Sequence, residues 1–332
     1  MELTKMLAKR LGVLVLVLFL VTLFTSALLS LVPGDPVDTL VPFSTTSSDS
    51  ESSRIVTERR ADVRERLNLD EPFHERYALW LGDLVTGDFG DYFRVSGVDP
   101  VGDRVKDALP VSLLLMVYAQ LLSLAIAIPL GVWSAYRAGS RLDRATNTGA
   151  FALLALPNFV LGLGLAYYVG AWLKWLPPSG YIPFGDDPIE HFRRMILPVV
   201  ALSAAQIAVY MRLLRTDMVA TLQEDFIQMA RSKGISDRRV LWRHALRPSS
   251  LTLLTVAGLN VGTLVGGAII IEVLFTIPGM GSAIFEAIAE RQYVALQSFV
   301  AILAILYVLV NFAVDIAYTV IDPRIRHARA RS

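Results

Sequence analysis

Few side chains in this sequence belong to the kinds that make or break covalent bonds. There is no cysteine, which removes thiolate nucleophiles, disulfides and cysteine metal sites. The four histidines, His74, His191, His244 and His327, fit no paired-ligand spacing. Acids and a histidine crowd together at Asp186, Asp187, Glu190 and His191. No helical or turn spacing aims that group at one point, so it reads as solvated loop charge, and no metal is expected. HExxH, GxSxG and paired intramembrane aspartates are missing, so hydrolysis has no visible machinery. Without GxxxxGK[ST] the chain does not itself hold ATP in a P-loop. Catalytic residues, cofactors and nucleic-acid ligands are all expected to be none.

The chemistry that remains is noncovalent. Residues 225–248, DFIQMARSKGISDRRVLWRHALRP, are basic and amphipathic and lie between two long apolar segments. They are too charged to enter a bilayer and too apolar for a plain linker. Leu222, Phe226 and Ala230 recur at i, i+4 and i+8, one face of a short helix. Gly234 falls where that helix must stop, because glycine takes the left-handed conformation at little cost. A second helical piece, 237–246, is expected to end before Pro248. Two short helices hinged at a glycine suit a grip by another protein. An ordinary loop with membrane-surface helices is the alternative.

The elements that position this loop are built for lipid. The chain is 54% hydrophobic, with six runs long enough to span: 11–32, 111–136, 147–172, 195–214, 251–273 and 298–321. With the N-terminus in the cytoplasm, the inner loops and tails carry eighteen Lys and Arg, and the two short outer loops carry four. That asymmetry puts both termini and the loop 215–248 inside. The first run, about 20 residues long and without a clear small-x-small site before Pro33, is read as a retained span and not as a cleaved signal sequence.

Four regions follow. Residues 1–32 form the inner N-terminus and first span. Residues 33–107 form an outer segment whose polar tract 44–53 is expected to be disordered. In that segment Val56, Val63 and Leu67, then Tyr77, Leu81 and Leu84, have helical spacing on either side of Pro72. Gly87-Asp88-Phe89-Gly90 is read as a turn, and no β-rich domain is expected. Residues 108–323 form a five-span core, and 324–332 a basic inner tail. Trp172, Trp175 and Tyr181 are placed as interfacial anchors.

Inside the spans, Gly258, Gly262 and Gly266 stand four apart on one face of the fifth run, spacing that lets two backbones approach closely. Thr255, Asn260 and Thr263 lie on neighbouring faces. Tight packing and a polar pathway are both open for this group. Asp315 lies near the inner boundary, and Glu272 is expected at headgroup level. There is no ladder of buried carboxylates and histidines of the kind a proton-coupled carrier needs.

Several short motifs stand in a recognisable order. Pro33-Gly34-Asp35-Pro36 follows the first span, and Gly87-Asp88-Phe89-Gly90 lies late in the outer segment. Ile128-Pro129-Leu130-Gly131-Val132 closes the second span, followed by Gly139-Ser140-x-Leu142-Asp143 and Pro157-x-Phe159-x-Leu161-Gly162. Pro177-Pro178-Ser179-Gly180-Tyr181, Ala230-Arg231-x-Lys233-Gly234, His244-Ala245-Leu246-Arg247, Pro278-Gly279-Met280-Gly281 and Asp322-Pro323-Arg324-Ile325-Arg326 complete the set. Over nearly its whole length the chain resembles the B-type permease subunit of dipeptide and oligopeptide ATP-binding-cassette importers.

The resemblance implies an all-α membrane protein with six transmembrane helices in the type I importer permease fold, and a small helical or irregular outer segment after the first. It implies half of a heterodimeric pathway in the lipid membrane, with a second permease, two cytoplasmic ATPase subunits and an extracellular solute-binding protein as partners. The family's docking loop falls on Leu222, Phe226, Ala230, Arg231, Lys233 and Gly234. Its EAA position is carried by Gln228-Met229-Ala230, without the leading Glu-Ala. The tract 44–53 looks like an insertion. The same family pattern also serves nickel and other solutes. A stand-alone secondary transporter or channel is the rival from another class; it would need no docking loop and should show inverted repeats or interrupted spans.

Overall fold

The structure is a computed structural model and describes residues 2–30, 36–41, 50–94 and 97–321. Positions 33–35 of the first motif, 44–49 of the polar tract, the segment from Asp322 through the tail 324–332, and the side chain of Asp315 lie outside the described residues. The chain opens with α1 (Glu2–Ser30), α2 (Pro36–Leu40), α3 (Ser50–Arg66) and α4 (Phe73–Thr86), then strands β1 (Asp91–Arg94) and β2 (Gly97–Pro100). Next come α5 (Val101–Tyr136), α6 (Arg141–Ala155), α7 (Asn158–Leu165) with a π-helical extension Ala166–Trp172, and α8 (Pro188–Thr221). The rest is α9 (Asp225–Ser232), α10 (Asp237–Arg239), a π-helical stretch Val240–Ala245, α11 (Leu246–Leu259), α12 (Val261–Phe275), α13 (Met280–Ala289) and α14 (Tyr293–Ile321). These pack as two compact units, 1–111 with 278–308, and 112–277 with 309–332.

In the first unit, Val63 and Leu67 of α3 are buried with Val37, Val41 and Phe93, and Val56 packs beside them. The i, i+4 stripe read from the sequence thus has a floor to bury against. Pro72 caps the start of α4, where its missing N–H costs nothing. Tyr77 and Trp80 of α4 are buried; the Tyr77 hydroxyl lies 2.8 Å from Thr22 Oγ1 of α1, and Trp80 Nε1 donates to Ser298 Oγ at 3.1 Å.

Two expectations need correction here. Ser50–Ser53, the end of the polar tract, is the first turn of α3, recruited by the amphipathic run that follows. The region after Gly87-Asp88-Phe89-Gly90 is an antiparallel hairpin pairing Tyr92 with Asp99 and Phe93 with Val98, so the chain is not purely helical. A side chain holds that hairpin. Gln292 accepts from the Phe93 N–H at 3.0 Å and donates to the Phe93 carbonyl at 2.6 Å, standing in for a third strand. Tyr92 is buried beneath the Arg104 guanidinium, 3.8 Å above its ring, and donates to Glu290 at 2.8 Å. Burial, then Glu290, pushes the Tyr92 phenol up to about 12.

In the second unit, α8 is the hub: α6, α7, α11 and α12 all pack on it. Helices α5, α8 and α14 are each long and apolar enough to cross a membrane, and two bent pairs raise the total to five among the described residues. The third and fifth runs are those bent pairs, not straight helices. The third turns 98° between α6 and α7. Pro157 forces Leu156 into an extended conformation, with φ −93° and ψ 120°, which no helix passes through. The fifth turns 47° at Asn260, between α11 and α12.

Candidate functional site

Helix α9 is held by one face and shows the other. Ile227 is 0% exposed and Ala230 7%, whereas Phe226 is 45% exposed and Met229 56%. Each pair is spaced i, i+3 and forms a stripe; the buried and the exposed stripe are neighbours, about 100° apart around the helix. The face expected from Leu222, Phe226 and Ala230 is divided: Phe226 is exposed, while Ala230 one turn on is covered within the chain. Leu222 closes α8, and the turn before α9 resets the helical phase, so counting in fours across it fails. Ala230 joins Ile227 in a cluster with Leu214, Met218, Val240, Leu241, Ala245, Leu253 and Ala257, against which Leu222 is half-buried.

The end of α9 follows the sequence reading. Gly234 has φ +75°, its N–H donates to Arg231 O at 2.9 Å, and the Ile235 N–H reaches back to Ala230 O at 3.3 Å. This double closure satisfies two carbonyls that the helix end would otherwise strand. Ile235 then packs on the same cluster as Ala230. Arg231 and Lys233 are exposed. Arg231 lies 3.9 Å from Asp237, both half-exposed, a pair that contributes little. The Tyr136 hydroxyl donates to Asp237 at 3.0 Å, at the edge of an open cleft of about 520 Å3 floored by Ala135, Val219 and Leu222.

The second helical piece does not stop before Pro248 but runs on to Leu259. Proline lacks an N–H and crowds the carbonyl four residues back, here His244. The π-helical stretch over Val240–Ala245 widens the helix at that point.

Above this loop, polar side chains meet at the break in the fifth run. Gln206 accepts from Asn260 Nδ2 at 3.1 Å and donates to Thr263 Oγ1 at 2.7 Å. Tyr210 donates to Gln120 at 3.1 Å. The sequence reading had Asn260 and Thr263 but missed Gln206, Gln120 and Tyr210, which carry no motif. Thr255 bonds along its own helix, donating to Leu251 O at 2.9 Å.

The glycine row is divided by the break at Asn260. Gly258 lies in the last turn of α11 and Gly262 in the first turn of α12, so the bend carries the row off a straight face. Gly266 faces open space, and the close approach is at Gly267, where a Cβ would lie 2.9 Å from both Asn158 and Leu202. Gly267→Leu should therefore cost about 1–3 kcal/mol from overpacking, and Gly266→Leu close to nothing within this chain. Thermal melting of the two variants in detergent checks the order; equal melting points would remove the assignment.

Other sequence candidates resolve into structural roles. Asp187 caps α8, accepting from the Ile189 and Glu190 N–H groups at 3.0 Å each, and Glu190 pairs with Arg193 and Arg194. His191 is fully buried, its Nδ1 2.7 Å from Ile182 O, among Tyr118, Tyr181, Phe184 and Phe192. Glu272, near the end of α12, is 1% exposed and accepts from Ser112 Oγ at 2.7 Å. Asp143, seen in the sequence only within a motif, is a buried carboxylate gripped by Arg215.

Comparison with known proteins gives one family. Residues 127–327 match the family described as binding-protein-dependent transport system inner membrane component. The chain is 34% identical over 342 residues to the di/tripeptide transport system permease protein DppB of Pseudomonas aeruginosa, covering 97% of this chain and 98% of that one. It is 33% identical over 309 residues to the oligopeptide transport system permease protein AppB of Bacillus subtilis, covering 92% and 94%. With the dipeptide transport system permease protein DppB of Alkalihalophilus pseudofirmus the figures are 32% over 340 residues, 96% and 98%.

Proposed function

Because the chain belongs to the family of binding-protein-dependent transport system inner membrane components, we propose that it is the permease subunit of an ATP-driven importer of di- and oligopeptides. It is a transport subunit and not an enzyme. It crosses the membrane six times, α1 adding a span to the five of the core, with both termini and 215–248 in the cytoplasm. It forms half of a pathway with a second permease, and two cytoplasmic ATPase subunits dock on its loops. An extracellular solute-binding protein delivers the peptide to the outer side.

The observation that carries this reading is α9. A helix anchored by Ile227 and Ala230 that presents Phe226 and Met229 outward has a spare apolar surface in a region too charged for lipid. A lone carrier has no use for such a surface. Closure of the ATPase pair would pull α9, and the cluster that includes Leu253 and Ala257 would carry the movement into α11.

Vesicles holding this chain with its co-purified partners should accumulate labelled dipeptide only when ATP is supplied. Uptake by this chain alone, without ATP, would sink the reading. Orientation has its own test, since a cysteine-free chain accepts single cysteines freely. In intact cells an impermeant maleimide should label Val85→Cys, at a position 81% exposed, and spare Ser236→Cys. The reverse pattern would overturn the topology.

A further inference from the structure

We propose that Gln206 is a positioning residue for transport: its carboxamide pins the break at Asn260, about which α12 swings together with α7. The proposal rests on the alternating-access reading above.

A carboxamide that is 7% exposed, on a helix surrounded by apolar neighbours, is costly unless bonded. Gln206 is bonded at both ends, and its two partners straddle one bend. Asn260 is the residue between α11 and α12, and Thr263 lies in the first turn of α12. Thr263 Oγ1 also donates to the Asn260 carbonyl at 2.7 Å, so the three residues close a ring. A ring of neutral hydrogen bonds holds an angle, yet it can exchange partners without leaving a charge stranded in the membrane.

What lies on each side of the ring gives it a mechanical task. On the inner side, Leu253 and Ala257 of α11 belong to the cluster that anchors Ile227 and Ala230 of α9, so α11 follows α9. On the outer side, α12 is zipped to α7. A Cβ on Gly162 would lie 2.7 Å from Leu274, and one on Gly267 would lie 2.9 Å from Asn158. Helix α7 begins at a break of its own, at Pro157. Two packed segments that each start at a break form a leaf with two hinges. Pro157 sets one hinge covalently, and the other is set by Gln206.

The test uses the assembled complex. Gln206→Leu keeps the volume and removes both bonds; Thr263→Val removes the hydroxyl, and Thr263→Ser restores it. Gln206→Leu and Thr263→Val should lower kcat for ATP-driven uptake by about tenfold, with KM held within about twofold, and Thr263→Ser should match the parent. Thr216→Val, which loses a hydroxyl bond to its own helix, should change nothing. Spin labels at Leu254 and Ile270, both exposed and on either side of the bend, read the hinge directly. The parent should show two separations, resting and vanadate-trapped, and Gln206→Leu one broad distribution. If Gln206→Leu does not assemble, the Thr263 pair decides alone. Parental kcat in Thr263→Val, or one separation in both states of the parent, overturns the hinge. A parent complex without ATP-dependent uptake overturns the importer reading instead.

Discussion

Phe226→Ala should leave the protein folded and inserted yet uncouple it, abolishing substrate-stimulated ATP hydrolysis in the reconstituted complex. Phe226 is 45% exposed on an anchored helix, so truncation removes nothing from the core. What it removes is an aromatic side chain free to fill a pocket on a partner. Such anchors contribute about 2–4 kcal/mol, which weakens docking by roughly 30- to 1000-fold. Met229→Ala should act in the same direction with a smaller effect. Arg231→Ala should be mild and salt-dependent, since its charge is exposed and screened. Ala230→Trp should fail in another way: Ala230 is 7% exposed among Ile227, Met218 and Val240, so an indole there breaks the packing beneath the helix. Co-purification of the ATPase subunits separates the two mechanisms. Full coupling in Phe226→Ala, with the ATPase bound at parental strength, would remove α9 as the docking element.

The contrast between Phe226 and Ala230 marks where the sequence was legible. Periodicity and the glycine stop placed a short helix at this loop, and Gly234 adopts the left-handed conformation that its type suggests. Which side of that helix is buried could not be read, because Phe226 and Ile227 are adjacent apolar residues about 100° apart, and only the cluster beneath α9 decides which of them is covered. The same limit governs the spans. Hydropathy finds 147–172 and 251–273 as continuous runs because lipid-compatible residues do not report bends. Pro157 carried a local signal for its break, through the residue before it. Asn260 carried none without Gln206, which is 54 residues away in sequence. Gly267 was passed over because a regular small-residue spacing favours Gly266, whereas close approach is decided by the neighbours Asn158 and Leu202. The hairpin β1–β2 was missed for a related reason: part of its backbone pairing comes from the Gln292 side chain, nearly two hundred residues further on.

Asp143→Ala should be the most damaging single change in the second unit. The carboxylate is 4% exposed and takes hydrogen bonds from four elements. Oδ1 accepts from Ser134 of α5 at 2.6 Å, from Asn147 of α6 at 2.8 Å and from Arg215 Nε of α8 at 2.5 Å. Oδ2 accepts from a second Arg215 nitrogen at 2.7 Å and from the N–H of Gly139 at 2.8 Å, in a turn where Gly139 has φ +81°. Asp143 also lies in the first turn of α6, where a negative charge is favoured. Losing it strands a guanidinium whose side chain is only a quarter exposed, along with three further donors. Breaking such a buried pair costs about 3–5 kcal/mol, against a total stability of roughly 5–15 kcal/mol. The partial exposure of Arg215 puts the expected cost at the lower end. Arg215→Met alone should cost about as much, since it leaves the carboxylate buried without its cation. Asp143→Leu combined with Arg215→Met should recover much of the loss, because two apolar groups leave no charge uncompensated. Melting curves in detergent for the two single variants and the double read this directly. A single variant that melts with the parent would show that solvent already screens the pair. A double variant as damaged as the singles would show that the ties to Ser134, Gly139 and Asn147, rather than the ion pair, hold this corner of the bundle.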